Sequence, residues 1–444
     1  MHHLKAEAKP LAPTIAELFM PKIVTVLREG YGFTDFRADA VAGLTVAIVA
    51  LPLSMAIAIA SGTTPDRGIY AAIFGGFLVS LLGGSRYQIG GPAGAFIVLV
   101  AASMLRHGID GVLLATMIAG AILMLAGLLR IGTYIRYIPY PVTIGFTAGI
   151  AVIIFASQIR DLLGITLIGG EPGELIAKLE TLARAASTTN IVVVAISIAT
   201  IAIILGLRRV HPTWPGMLIA VVVTGLAAGL LALPVETIGT RFGGIPQNFP
   251  LPSFPAISLA KIVAVLPDAI MFALLGAIES LLSAVVADGM TGRHHRSNSE
   301  LVAQGIANIG SAMFGGICVT GTIARTATNV RAGARGPVAG MLHSVFLLSF
   351  MLIAAPLASF IPLATLAGVL AVVAWNMVER RAFAELLRAP GTAVILLATF
   401  LLTIFMGLAE GIAIGSLIGG LIFLYRKRYG DPAPVAPASN DEFL

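Results

Sequence analysis

The chain has 444 residues, of which 57% are hydrophobic and 11% charged, whereas a soluble globular chain carries roughly 25% charged residues. A fold of this length with so little polar surface would not stay dissolved, so water is not the solvent for most of it. The formal net charge of +6 resides in short loops between apolar runs, which points to membrane topology and away from nucleic acid. The single cysteine, Cys318, excludes an intramolecular disulfide framework and any multi-cysteine metal site.

The elements, taken in chain order, begin with a mixed polar leader, residues 1–38, in which no cleavable signal peptide is visible. Its stretch 14–30 is amphipathic and suited to lie along the inner membrane surface. A spanning helix needs about 20 mainly apolar residues. On that criterion the sequence predicts fourteen segments, at 40–60, 68–84, 92–105, 110–129, 140–158, 190–207 and 215–233, then 266–288, 299–314, 322–332, 337–355, 362–377, 391–405 and 407–425. The third and tenth are half-length. The stretches 159–189 and 234–262 are richer in Pro, Gly and acidic residues and read as external loops. The tail 427–444 is Pro/Ala-rich and polar, the composition of a disordered segment. Of the Lys and Arg residues, twenty fall on the leader's side of this map and seven on the other, with Arg325 left inside a segment. The positive-inside rule then places both termini in the cytoplasm of a multi-pass protein of the cell (inner or plasma) membrane.

The two halves echo each other. Asp39-Ala40-Val41 opens the first span and Asp268-Ala269-Ile270 the eighth, and 81–95 lies over 313–327 without a gap, Gly83-Gly84 on Gly315-Gly316 and Ala93 on Arg325. Seven spans separate the copies, so the second is inverted. Inverted repeats with short Gly/Pro-interrupted segments at matching places point to a secondary transporter. The expected units are 39–233, a connection 234–265, and 266–426.

Both short segments follow extended stretches, Gln88-Ile89-Gly90-Gly91-Pro92 and Val319-Thr320-Gly321-Thr322. Non-helical backbone at membrane depth lines a cavity or is buried in protein. Helix N-termini starting there offer free N–H groups and partial positive charge, so two facing ends make an anion site. Pro92 suits a first helical turn. Arg325 lies in the first turn of the second short segment, where a charge costs at least ~2.5 kcal/mol; it either supplies positive potential to the anion or pairs structurally with Glu279. Glu279, in the middle of the eighth span, reads as a proton-carrying or cation-coupling group, or as half of that static pair; Ser283 is one turn on, on the same face. Pro52 interrupts the first span just before Ser54, and the interruption either walls the cavity or is a tolerated kink. Phe96 suits a pocket wall or plain packing. Gln88 and Thr322 are candidate polar donors; His343 and Cys318 read as structural. No metal-ligand cluster, cofactor motif or nucleophile–base pair appears, which argues against an enzyme.

The motifs LPLSMAIAIASG, QIGGPAGAFIVLV, AIESLLSAVVADGMTG and TGTIARTATNVRAGARGPVAG resemble the sulfate permease family (SulP, the solute carrier 26 anion transporters) from about Phe33 to about Arg428. The resemblance implies an all-α fold of two inverted seven-segment repeats, with a mobile core domain (spans 1–4 and 8–11) moving against a gate domain (spans 5–7 and 12–14). It implies a substrate site between the third and tenth segments, matching Pro52, Ser54, Gly91, Pro92, Ala93, Phe96, Gly321, Thr322, Ala324 and Arg325, with Glu279 and Ser283 toward a coupling ion. It further implies sulfate, bicarbonate or dicarboxylate as substrate, a proton or sodium ion as partner, and a homodimer. Members resembling a sodium–bicarbonate symporter carry Asp where this chain has Glu279, which favours protons. A nucleobase permease of the same architecture and an uncoupled anion channel are the alternatives. Family members usually carry a cytoplasmic STAS domain after the last span, and the sequence ending at Leu444 leaves no room for one.

Overall fold

The computed structural model describes residues 19–135, 139–168, 171–212 and 214–429. Residues 1–18 of the expected leader and 430–444 of the expected tail lie outside the described residues.

Fifteen helices carry the architecture: α1 (Lys22–Arg28), α2 (Phe33–Ala60), α3 (Pro65–Tyr70), α4 (Gly76–Leu82), α5 (Ile97–Leu128), α6 (Tyr140–Leu163), α7 (Ile191–Val210) and α8 (Gly216–Leu230), then α9 (Leu259–Thr291), α10 (Ser297–Met313), α11 (Ile323–Arg331), α12 (Val338–Ala358), α13 (Leu363–Met377), α14 (Pro390–Phe405) and α15 (Leu408–Tyr429). Among the described residues, seven helices are long and apolar enough to cross a membrane and three more are apolar but shorter. The molecule is an all-α polytopic membrane protein. Two short extended segments, β1 (Gly90–Gly91) and β2 (Thr320–Gly321), form its one two-stranded sheet among the described residues.

Of the two readings open for Pro52, a break is not seen: α2 runs through it for 28 residues. Only the Ile48 carbonyl loses its usual donor, because a proline ring removes a single N–H and neighbouring packing holds the rest. The third segment starts two residues later than Pro92, with a 3-10 turn at Gly94–Phe96 that leads into α5, and the non-helical Gly108 (φ 63°, ψ −172°) divides α5 into two helical limbs, as the separate expected segments 92–105 and 110–129 require. Pro92 therefore lies in the extended link before the first turn.

The helices pack in two groups. In one, α5 lies against α9 and α10, α4 against α10 and α12, α2 against α12, and α9 against α11. In the other, α6 lies against α13 and α14, α7 against α8 and α13, and α14 against α15. Helices α2, α8 and α13 join the groups. Helices in lipid associate through close packing of small residues, and this is visible where α5 crosses α10. A Cβ on Gly120 would meet the Gly305 carbonyl at 2.5 Å, and one on Gly305 would meet the Gly120 carbonyl at 2.5 Å. Gly305→Val therefore overpacks a backbone contact that has no side chain to move aside. The expected cost is about 1–3 kcal/mol, read as a lowered unfolding temperature of the detergent-solubilised protein.

The loops at the leader's end meet one another. The Lys22 amide donates to the Gly83 carbonyl (2.9 Å) and its ammonium to the His294 carbonyl (2.8 Å). Arg296 donates to the Met20 carbonyl (2.9 Å) and to Thr25 Oγ1 (3.0 Å). At the opposite end Arg67 donates to the Gly315 carbonyl (2.9 Å), and Arg106 pairs with Asp268 (2.5 Å).

Candidate functional site

The centre of the site is the ribbon formed by β1 and β2. They pair antiparallel, Gly90 opposite Gly321 and Gly91 opposite Thr320. Each strand runs within three residues into a helix, β1 into the turn at Gly94 and β2 into α11 at Ile323. Because the strands are antiparallel, the helices leave in opposite directions and their N-termini stay together at the ribbon. The first-turn amides there have no partner within their own helices.

Arg325, in the first turn of α11, is 2% exposed. Its Nη2 donates to Ser54 Oγ on α2 (3.2 Å) and to the Pro92 carbonyl (3.3 Å). Its Nε and Nη1 are buried without a hydrogen-bond partner. Nη1 lies where a Cβ on Gly91 would stand, so only glycine admits the guanidinium against the ribbon. Ser54 is fully buried and donates in turn to the Ala50 carbonyl (2.7 Å). One side chain thus joins α2, the strand link and α11, and still holds two donors in reserve.

The other predicted residues divide. Thr322 caps the ribbon, its amide and hydroxyl both donating to the Ile89 carbonyl (3.0 and 3.3 Å). Ala93 is buried and Ala324 is exposed. Ser283 Oγ donates to Thr326 Oγ1 (3.0 Å), which also accepts from the Ile89 amide (3.1 Å); α9, α11 and β1 are joined at that point. Phe96 is 1% exposed and packs edge-to-face on Phe272, ring centroids 6.1 Å apart, the packing role that the sequence left open. Gly94 faces the second helix group: a Cβ there would lie 3.4 Å from Ile154 Cδ1 and 3.6 Å from Met377 Sδ. Glu279 is 8% exposed. No ion pair joins it to Arg325 among the described residues, so the static pairing of the two is not formed in this conformation. His343 is fully buried with both ring nitrogens unpartnered, and Cys318 is buried.

Gln88, a candidate donor, belongs to a polar scaffold behind the ribbon whose other members escaped the sequence reading. Gln88 Nε2 donates to the Ser280 carbonyl and Oγ (both 3.0 Å). Ser280 Oγ donates to Glu300 (3.4 Å), a fully buried carboxylate that also accepts from Gln304 and from the Gly84 and Ser85 amides (3.1, 2.8 and 3.1 Å). Asn308 holds the strand that leads into β2, donating to the Val319 carbonyl (2.8 Å) and accepting from the Val319 amide (2.9 Å). The signal that could have found these residues is their alignment on one face of α10, where Glu300, Gln304, Asn308 and Ser311 recur every three or four positions. Gln88 packs so closely on Gly321 that any Cβ there would collide with its amide. Gly321→Ala should displace Gln88 and lower transport by at least tenfold with protein yield retained; full transport in that variant would show that the ribbon tolerates a side chain.

A mid-chain ribbon flanked by two helix N-termini and one buried guanidinium is a transporter's architecture, and comparison with known sequences agrees. The model of the sulfate permease family matches residues 36–415. The chain belongs to this family. It is 43% identical over 407 residues to the Bacillus subtilis (strain 168) protein named "Putative sulfate transporter YvdB", covering 90% of this chain and 75% of that one. It is 31% identical over 409 residues to the bicarbonate transporter BicA of Picosynechococcus, covering 89% and 71%. Among solved structures, the transmembrane domain of a cyanobacterial BicA superposes with a TM-score of 0.78 at 30% identity, covering 86% of this chain and 98% of that chain. The murine solute carrier 26 member A9 in its inward-facing state gives a TM-score of 0.84 at 18% identity, covering 95% and 74%, a likeness of fold. A sulfate permease family member is a membrane transport protein of the anion class and not an enzyme.

Proposed function

We propose that this protein is a proton-coupled secondary transporter of a small oxyanion or carboxylate, held between the N-termini of the turn at Gly94 and helix α11. The carrying observation is the antiparallel pairing of Gly90–Gly91 with Thr320–Gly321 beside two unpartnered Arg325 nitrogens. Helix N-termini and a guanidinium favour negative charge for the same electrostatic reason, and buried donors without partners need an acceptor. The substrate contacts in this reading are Ser54, Pro92, Ala93, Thr322, Ala324 and Arg325, with Pro52, Gly91, Phe96 and Gly321 shaping the space around them. Glu279 and Ser283 serve the coupling ion.

Counting the two limbs of α5 separately, and α3 with α4 as one span, gives fourteen segments in two inverted sets, 39–233 and 266–426 joined by 234–265. The first helix group is then the moving core and the second the gate, and an elevator-like shift of the core past Ile154 and Met377 carries the anion across. The excess of Lys and Arg on the leader's side supports a cytoplasmic position for both termini. The protein works as a homodimer in this reading. Sulfate and bicarbonate are the leading substrates, because the relatives just named carry those anions in their names. The test is uptake into proteoliposomes of labelled sulfate, bicarbonate, chloride, dicarboxylates and uracil, with and without a pH or sodium gradient. Concentrative uptake of one anion under a pH gradient is expected. Sodium dependence would favour sodium-coupled bicarbonate symport, uracil uptake a nucleobase permease, and large unitary currents without accumulation a channel.

A further inference from the structure

A cavity of about 210 Å³ lies at the leader's end of the molecule, away from the ribbon, where Arg86, Arg293 and Arg335 share the wall with Glu29, Asp35 and Tyr87. The three arginines come from three loops: the α4–β1 link, the α9–α10 turn and the α11–α12 turn. Arg86 is 9% exposed and paired with Glu29, and Asp35 accepts from the Gly32 amide (3.1 Å). Glu29 is thereby paired, and it also feels the charge of Arg293, while Asp35 keeps its charge, so three guanidiniums face two carboxylates. Neither Arg293 nor Arg335 donates a guanidinium hydrogen bond among the described residues.

The walls are held in place. Buried Asp39 accepts from the Arg335 amide (2.5 Å), the Gly336 amide (3.1 Å) and the Tyr31 hydroxyl (2.8 Å). Nearby Lys22 has its pKa lowered to about 8, first by burial and then by the charges of Arg296 and Arg86, with Asp288 and Glu29 opposing. We propose that this cavity binds a phosphate dianion, as inorganic phosphate or as the monoester head of an anionic lipid. Guanidinium forks match phosphate oxygens bidentately. The volume falls below the roughly 300–1,000 Å³ of drug-sized ligand pockets, so it suits a single phosphate group rather than a nucleotide. The occupant would also brace the transport site. Tyr87 lines the cavity, and its carbonyl accepts from Asn329 of α11 (2.9 Å); the next residue, Gln88, leads into β1.

The proposal is independent of how the mid-membrane site is read, and one set of binding measurements separates the two. Radiolabelled inorganic phosphate is titrated onto the full chain in phosphatidylcholine nanodiscs and, as a second arm, competed against nanodiscs containing phosphatidate. Arg293→Ala with Arg335→Ala should weaken phosphate binding at least tenfold with an unchanged unfolding temperature in the absence of phosphate, while Arg325→Ala leaves it intact. Binding sensitive to the double substitution only in the phosphatidate arm would assign the site to a lipid head. Loss of phosphate binding in Arg325→Ala with retention in the double variant would place the ion at the ribbon and overturn the proposal. So would the absence, in both arms, of saturable binding that depends on Arg293 and Arg335.

Discussion

Glu279→Gln should abolish proton-driven accumulation of the anion while sparing part of its exchange. Glutamine keeps the shape of the side chain and removes its titrating proton. Since Glu279 has no ion-pair partner among the described residues, the substitution strands no buried cation, and the loss of coupling can be read without a confounding loss of folding. Exchange needs only the loaded carrier to cross in both directions, whereas accumulation needs the carrier's charge to change with the external proton. In proteoliposomes with an inward pH gradient, uptake by the variant should plateau at the external concentration. Gradient-driven accumulation equal to that of the unsubstituted protein would remove Glu279 from the coupling step.

The second large effect falls on Arg325. Replacing it with alanine removes two buried donors and a positive charge from the point where the helix ends meet. A hydrogen bond to a charged group contributes about 1.5–3 kcal/mol, so binding of the transported anion should weaken roughly tenfold to a hundredfold. Arg325→Lys should recover part of that affinity, because it keeps the charge and loses the fork that spans Ser54, Pro92 and the open position. Titration of the transported anion against each purified variant measures both. Equal affinity in Arg325→Ala would assign the residue to bracing α2 against the ribbon through Ser54 and Pro92.

Arg325 was legible in the sequence because an arginine inside an apolar run is costly and stands out, and the Gly-rich stretches on either side of the bilayer's middle marked where backbone leaves the helix. The partners of those residues were not legible. Thr326 and Ser280 sit one position away from residues that drew attention and Glu300 lies in a span where none did, and only the packing of α9, α10 and α11 brings the three together behind the ribbon. The sequence could not say whether Glu279 and Arg325 pair, since spacing along the chain does not give distance across it. Pro52 was read as an interruption, yet a helix wedged among neighbours can tolerate one missing bond. The echo between the halves was read from Gly83-Gly84 and Gly315-Gly316, which lie in loops whose length no periodicity controls.

The ribbon has one more implication. Half of it comes from the first hundred residues and half from beyond residue 300, and the two halves are stitched by backbone hydrogen bonds through glycines that leave no slack. A cradle sewn together in this way resists parting like a jaw to release its cargo. In the proposed elevator reading the ion's route in and out is opened by sliding the whole cradle along a stationary wall, and cysteines placed at Gly94 and Ile154 should report that travel as a crosslink that forms on one side of the stroke and is lost on the other.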